Sequence, residues 1–138
     1  MNKNSEDIAV GDEFYKIYPA RAGQVRPRAV RVQVVRTSAS FITVQERDGE
    51  TSRFKRHNMQ QAEASGVWEP KKYLLSLNDP EAHRILRDMR HAARFANVTS
   101  AAQHFHTEPT EENYNALSEF VARWGKLHGF TEEAQTTD

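Results

Sequence analysis

The 138-residue chain is long enough for one domain with one core, contains no cysteine, and balances 19 Lys/Arg against 19 Asp/Glu. The missing thiols exclude disulfide scaffolds, thiolate zinc sites and thiol nucleophiles, and the neutral total argues against a general nucleic-acid binder. No apolar run is long enough to cross a bilayer and no basic-then-apolar leader is visible, so a cytoplasmic protein with no membrane partner is expected.

Residues 1–7 and 131–138 are polar and unpatterned and read as flexible tails. Gly11-Asp12 followed by Phe14 to Tyr18 predicts a first strand that stops at Pro19. A loop with Gly23 and Pro27 leads to Arg28–Thr37, where Val30, Val32 and Val34 alternate with Arg31, Gln33 and Val35, the pattern of a strand with one buried face. Phe41–Gln45 reads as a third strand, and Asp48-Gly49 supplies the positive φ angles of a tight hairpin into a fourth strand at Thr51–Lys55. On that strand Phe54 faces inward, while Arg53 and Lys55 face outward and Arg56 prolongs the basic edge.

Asn58 to Ser65 predicts a short helix, capped by Asn58 and stopped by Gly66. Lys72–Leu77 is the candidate fifth strand, which suits a small bent antiparallel sheet or SH3-like barrel over residues 8–77. Asp79-Pro80-Glu81 is a strong helix start, because Asp79 can cap, Pro80 suits the first helical position and Glu81 favours the positive end of the dipole. Its apolar positions keep the helical period to about Asn97, with a further helical piece over Ser100–His106. A last helix begins between Thr107 and Thr110, buries Tyr114, Leu117, Val121 and Trp124, and ends at Gly129, with Phe130 folding back on it. The expected architecture is therefore α+β, a sheet or barrel of about five strands followed by a helical hairpin over 78–130 that packs with it as one domain.

Charge is spread unevenly along these elements. Met1–Leu75 carries 13 basic and 9 acidic residues against 6 and 10 in Ser76–Asp138. From Phe14 to Gln45 there are six basic residues, Lys16, Arg21, Arg26, Arg28, Arg31 and Arg36, and no acidic one. Guanidinium groups grip phosphate oxygens in pairs, so Arg28, Arg31, Arg53 and Arg56 are the candidate phosphate ligands, with Tyr18 as a stacking ring. The same residues also suit a solvated sheet face paired with Asp12, Glu13 and Glu46. Arg84, Arg87, Arg90 and Arg94 form a stripe on the long helix, and Arg87 joins the candidate ligands.

Six histidines, including His104, His106, His83 and His91, lack the spacing of a zinc or iron site, so no metal and no cofactor is expected. The motifs of nucleophile elbows, Walker loops, dinucleotide folds and zincins are missing, which makes an enzyme the least favoured class.

The run Val10-Gly11-Asp12-Glu13, the Val30–Val35 strand, Ser40-Phe41-Ile42-Thr43-Val44, the Asp-Gly hairpin and Arg53-Phe54-Lys55-Arg56 resemble small barrel-plus-helix accessory proteins of bacteriophages over about residues 8–95. That resemblance implies a non-enzymatic role in counter-defence or host takeover. One such group, the anti-Thoeris sponges, is similar in its N-terminal sheet and C-terminal helical extension, which implies oligomers that hold cyclic ADP-ribose isomers. None of its ligand residues is carried onto this chain. Three readings stand: a homo-oligomeric binder of a small nucleotide or other phosphate-bearing ligand, an SH3-like nucleic-acid or transcription-complex module, and a protein-binding inhibitor of a host complex.

Overall fold

The computed structural model describes residues 7–20, 26–63 and 70–130. The tails at 1–6 and 131–138 lie outside these residues, as do Arg21, Gly23 and the Ser65-Gly66 helix stop. The elements run β1 (Glu13–Tyr18), β2 (Arg28–Thr37), β3 (Phe41–Gln45), β4 (Thr51–Lys55), β5 (Tyr73–Leu75), α1 (Pro80–Thr107) and α2 (Glu111–Leu127). The fold class is α+β, as the segregated pattern predicts. The chain divides into two compact units, Met1–Leu86 and Arg87–Asp138, with the boundary inside α1.

The first unit is a curled antiparallel sheet in the order β4-β3-β2-β1-β5. Its inner face collects Phe14, Val32, Val34, Ile42, Val44, Phe54 and Leu74, with Ile8 joining them from ahead of β1. Continued alternation on β2 would aim Arg36 into this core. A bulge at Val35 removes the conflict: Val34 pairs with Val44, Arg36 with Thr43 and Thr37 with Ile42, so the guanidinium turns outward. Ile17 and Ala29 pair across β1 and β2 on the opposite face, and both are buried. The first turns of α1 lie against that side, where His83 meets the Tyr15 ring at 6.3 Å and the Tyr73 hydroxyl donates to Glu81.

The β3–β4 hairpin differs in detail from the two-residue turn that Asp-Gly suggests. Its loop is Arg47-Asp48-Gly49; Gly49 N–H donates to Glu46 O at 2.9 Å and Glu46 N–H to Glu50 O at 2.8 Å, and only Gly49 takes a positive φ, 95°.

The short helix expected from Asn58 does not form over the described residues 58–63. Asn58 Oδ1 instead accepts from Gln60 N–H in a local turn that sets Met59 at φ 61°. The chain then runs between the two outermost strands and bonds to both. Lys55 N–H donates to Gln60 O and Ala62 N–H to Arg53 O on the β4 side, while Gln61 N–H donates to Lys72 O and Leu74 N–H to Met59 O on the β5 side. Residues 59–62 thus join β4 to β5.

α1 starts as its sequence predicts, with Asp79 Oδ1 accepting from Glu81 N–H at 2.8 Å. It passes Asn97 without a break, because no Pro or Gly interrupts it after Pro80, and it absorbs the Ser100–His106 piece into one 28-residue helix. Thr110 caps α2 by accepting from Asn113 N–H. In the second unit Phe95 meets Trp124 and Phe105 meets Tyr114. No residue of α2 is buried, however; Tyr114 and Val121 are about half exposed, against the burial expected for them. Gly129 at φ 75° closes a Schellman turn, with Phe130 N–H on Gly125 O and Gly129 N–H on Lys126 O. Since Gly125 offers no side chain for Phe130 to cover, the Phe130 ring stacks on His128 instead.

Phe54→Ala removes the largest fully buried side chain among the described residues and should cost about 3–5 kcal/mol, read from urea denaturation. Thr110→Ala should cost about 0.5–2 kcal/mol through the lost cap, seen in the same assay or as reduced helical ellipticity.

Candidate functional site

On β1, Phe14, Lys16 and Tyr18 share the inner face, so the alternation that buries Phe14 also carries an ammonium group inward. Lys16 is 3% exposed. Its Nζ donates to Glu46 Oε2 at 2.8 Å and to Ser52 Oγ at 2.6 Å, and the Tyr18 hydroxyl donates to the same Glu46 oxygen. Glu46 is the first residue after β3 and Ser52 lies on β4, so the hairpin supplies both partners.

Burial disfavours charge on Lys16 and is the largest single influence on it. The hydrogen bonds and charges of Glu46 and Tyr18 outweigh that influence, so its pKa rises above the ordinary 10.5. Burial likewise pushes Glu46 upward, but the bonds from Lys16 and Tyr18 hold its carboxyl below the usual range. Tyr18 is raised by burial first and by its bond to Glu46 second. All three are therefore locked near neutral pH as cation, anion and neutral hydroxyl.

Two further cations surround the Tyr18 ring. Arg28 pairs with Tyr18 in the β1–β2 register and sets its guanidinium carbon 4.2 Å from the ring centroid, while Lys72 Nζ lies at 5.4 Å and Lys16 Nζ at 4.8 Å. Among the described residues neither Arg28 nor Lys72 has a carboxylate within ion-pair distance. Lys72 and Lys16 also line an open groove of about 430 Å³ with Ser52, Arg53, Gln61 and Glu63.

Of the residues proposed from sequence, Tyr18 and Arg28 come together, and Arg53 lines the adjoining groove with its guanidinium 4.4 Å from the Phe41 ring and paired to Glu63 at 3.2 Å. Arg31 faces the opposite side of the sheet and pairs with Glu13 at 2.6 Å. Arg56 works as a clamp, donating to Ser38 O at 2.9 Å and to Ile8 O at 3.3 Å. Arg87 lies exposed on α1 in the second unit. The four sheet arginines therefore do not converge on one anion. The sequence marks Lys16 only as one member of the basic stretch and Glu46 only as a partner of a solvated face, and it gives no signal for Ser52 or Lys72 as site residues; a lysine alternating with Phe14 is the signal that Lys16 turns inward.

The carboxylates of Glu46, Asp48 and Glu50 come within 4.8 Å of one another, but Glu46 is already engaged by Lys16 and Tyr18, and Asp48 accepts from Glu50 N–H. No described helix is long and apolar enough to cross a membrane. Comparison of the chain with protein families, curated proteins and solved structures finds no match.

Lys16→Met leaves Glu46 enclosed without its cation and should cost about 3–5 kcal/mol in urea denaturation, whereas Lys16→Met combined with Glu46→Gln should recover most of that loss. The titration shifts limit the stable pH range from both sides. Tyr73 is pushed up to about 12 by burial and by the Glu81 carboxylate that accepts its hydroxyl, and Tyr18 is also raised. Unfolded chains lose these protons near the ordinary 10.0, so stability falls as pH rises from there toward about 12; Tyr73→Phe should flatten that fall. The Glu46 contribution is held above the ordinary carboxylate value and is lost as pH falls through the lowered one. Urea midpoints measured across pH check both arms.

Proposed function

We propose that the surface around the Tyr18 ring, joined to the groove through Lys16 and Lys72, is a non-enzymatic binding site for a phosphate-bearing ligand, a small nucleotide in the first instance. The observation that supports this most is the placement of Arg28 and Lys72 about one aromatic ring without a carboxylate partner among the described residues, beside a Lys16–Glu46 pair that cancels its own charge. That leaves two cations for phosphate oxygens and a ring that a base can meet. The raised pKa values of Lys16 and Tyr18 keep both groups protonated at neutral pH, which suits hydrogen-bond donors that shape a site better than bases that remove a proton. Capture of a nucleotide signal fits the counter-defence role implied by the phage resemblance.

A second reading has its own support. The groove that holds Lys72 and Arg53 is open, which suits an extended strand, so an SH3-like nucleic-acid module is the alternative. Inhibition of a host protein is the third.

Titration calorimetry with cyclic and linear nucleotides should give a dissociation constant of about 50 µM or tighter. Arg28→Ala and Lys72→Ala should each weaken binding about tenfold, while Arg31→Ala, on the other face, leaves it unchanged. Binding of single-stranded oligonucleotides alone, falling steeply with salt, would favour the second reading. No binding of either kind at about 100 µM removes the phosphate site altogether.

A further inference from the structure

The second unit shows a mismatch between its composition and its burial. Over residues 87–130 the two helices, which carry Phe95, Phe105, Tyr114, Leu117, Val121 and Trp124, enclose a single buried residue, Ala101. Phe95 is 51% exposed, Tyr114 55% and Val121 46%, even though Phe95 and Tyr114 each have a ring partner across the hairpin. A pair of amphipathic helices forms one half of the smallest well-packed helical unit, and it leaves the other half of its apolar surface in water.

Its charges run lengthwise. The helices are antiparallel, since Phe95 meets Trp124 at one end and Phe105 meets Tyr114 at the other. The end next to the α1–α2 connection carries Glu108, Glu111 and Glu112. The far end carries Arg87, Arg90, Arg94 and Lys126 against Asp88. Acidic residues in the first turn of α2 suit the helix dipole by themselves, but Arg87, Arg90 and Arg94 lie in the middle of α1, where no dipole calls for them.

We infer that the hairpin is the dimerisation element of this protein, and that what covers its apolar face is the hairpin of a second copy laid antiparallel about a two-fold axis. In that arrangement the acidic end of each copy lies against the basic end of the other, and both ends are satisfied at once. A parallel pairing would set like charges side by side. The four helices then form a bundle in which Phe95, Tyr114 and Val121 face apolar surface. The dimer rests on these helices and not on the ligand reading of the sheet, so either stands if the other fails.

Sedimentation equilibrium tests it with the full chain and two charge-reversed variants, Arg87→Glu/Arg90→Glu and Glu108→Lys/Glu112→Lys, all of whose altered positions are exposed. The wild-type chain should dimerise, more weakly as salt is raised. Each variant alone should weaken the dimer about 100-fold with helical ellipticity retained, and an equimolar mixture of the two should restore it, because every facing pair of ends is again opposite in sign. A wild-type chain that stays monomeric to about 1 mM overturns the inference. So does a dimer indifferent to both variants, or a mixture that does not associate while each variant keeps its helical signal.

Discussion

An ammonium group 3% exposed inside a small sheet has to be neutralised within the protein, because a lone buried charge costs several kcal/mol even after relaxation. Lys16 cannot turn to solvent without also turning Phe14 and Tyr18, which share its face of β1. Its anion comes instead from Glu46, two strands away in the order β3-β2-β1. The curl of the sheet, the β2–β3 register and the three-residue loop after Glu46 must all be in place before that 2.8 Å contact exists. The Tyr18 hydroxyl and Ser52 then complete it, and the ring so fixed becomes the platform above which Arg28 sits.

The strands were legible because their signals are local. Alternation on β2 and the Asp48-Gly49 hairpin between β3 and β4 are enough to place all three strands at their observed limits. The segment after β4 misleads for an equally local reason: Asn58 and Gly66 look like the two ends of a helix, yet the Asn58 side chain serves a turn, and backbone bonds to β4 and to the β5 side hold residues 59–62 between the two strands. The sequence pattern ends α1 near Asn97 because Asn, Val, Thr and Ser are mediocre helix formers, but none of them stops a helix as Pro does.

The site was half legible. Counting charges found the basic stretch from Phe14 to Gln45 and set Glu13 and Glu46, one residue outside each end, beside it as partners of a solvated face, without saying which cation each one takes. Those two neutralise Arg31 and Lys16. A window of sequence cannot show which cation each of these acids takes, nor that Lys72 arrives from 44 positions further along than Arg28 to share the Tyr18 ring with it. What matters for anion binding is which cations remain unpaired after folding, a property of the register and not of the composition.

The run at 59–62 has an effect beyond joining two strands. Peptide partners of small sheets often dock by lending one more strand to an exposed backbone, gaining affinity from main-chain bonds that are blind to sequence. Here the main-chain groups of Arg53, Lys55 and Leu74 are already taken by Ala62, Gln60 and Met59. Strand addition is closed at those positions, and so is the runaway pairing that leads small β proteins into aggregates. Whatever the sheet recognises there it must recognise through side chains, which places selectivity with the cations and rings rather than with the peptide backbone.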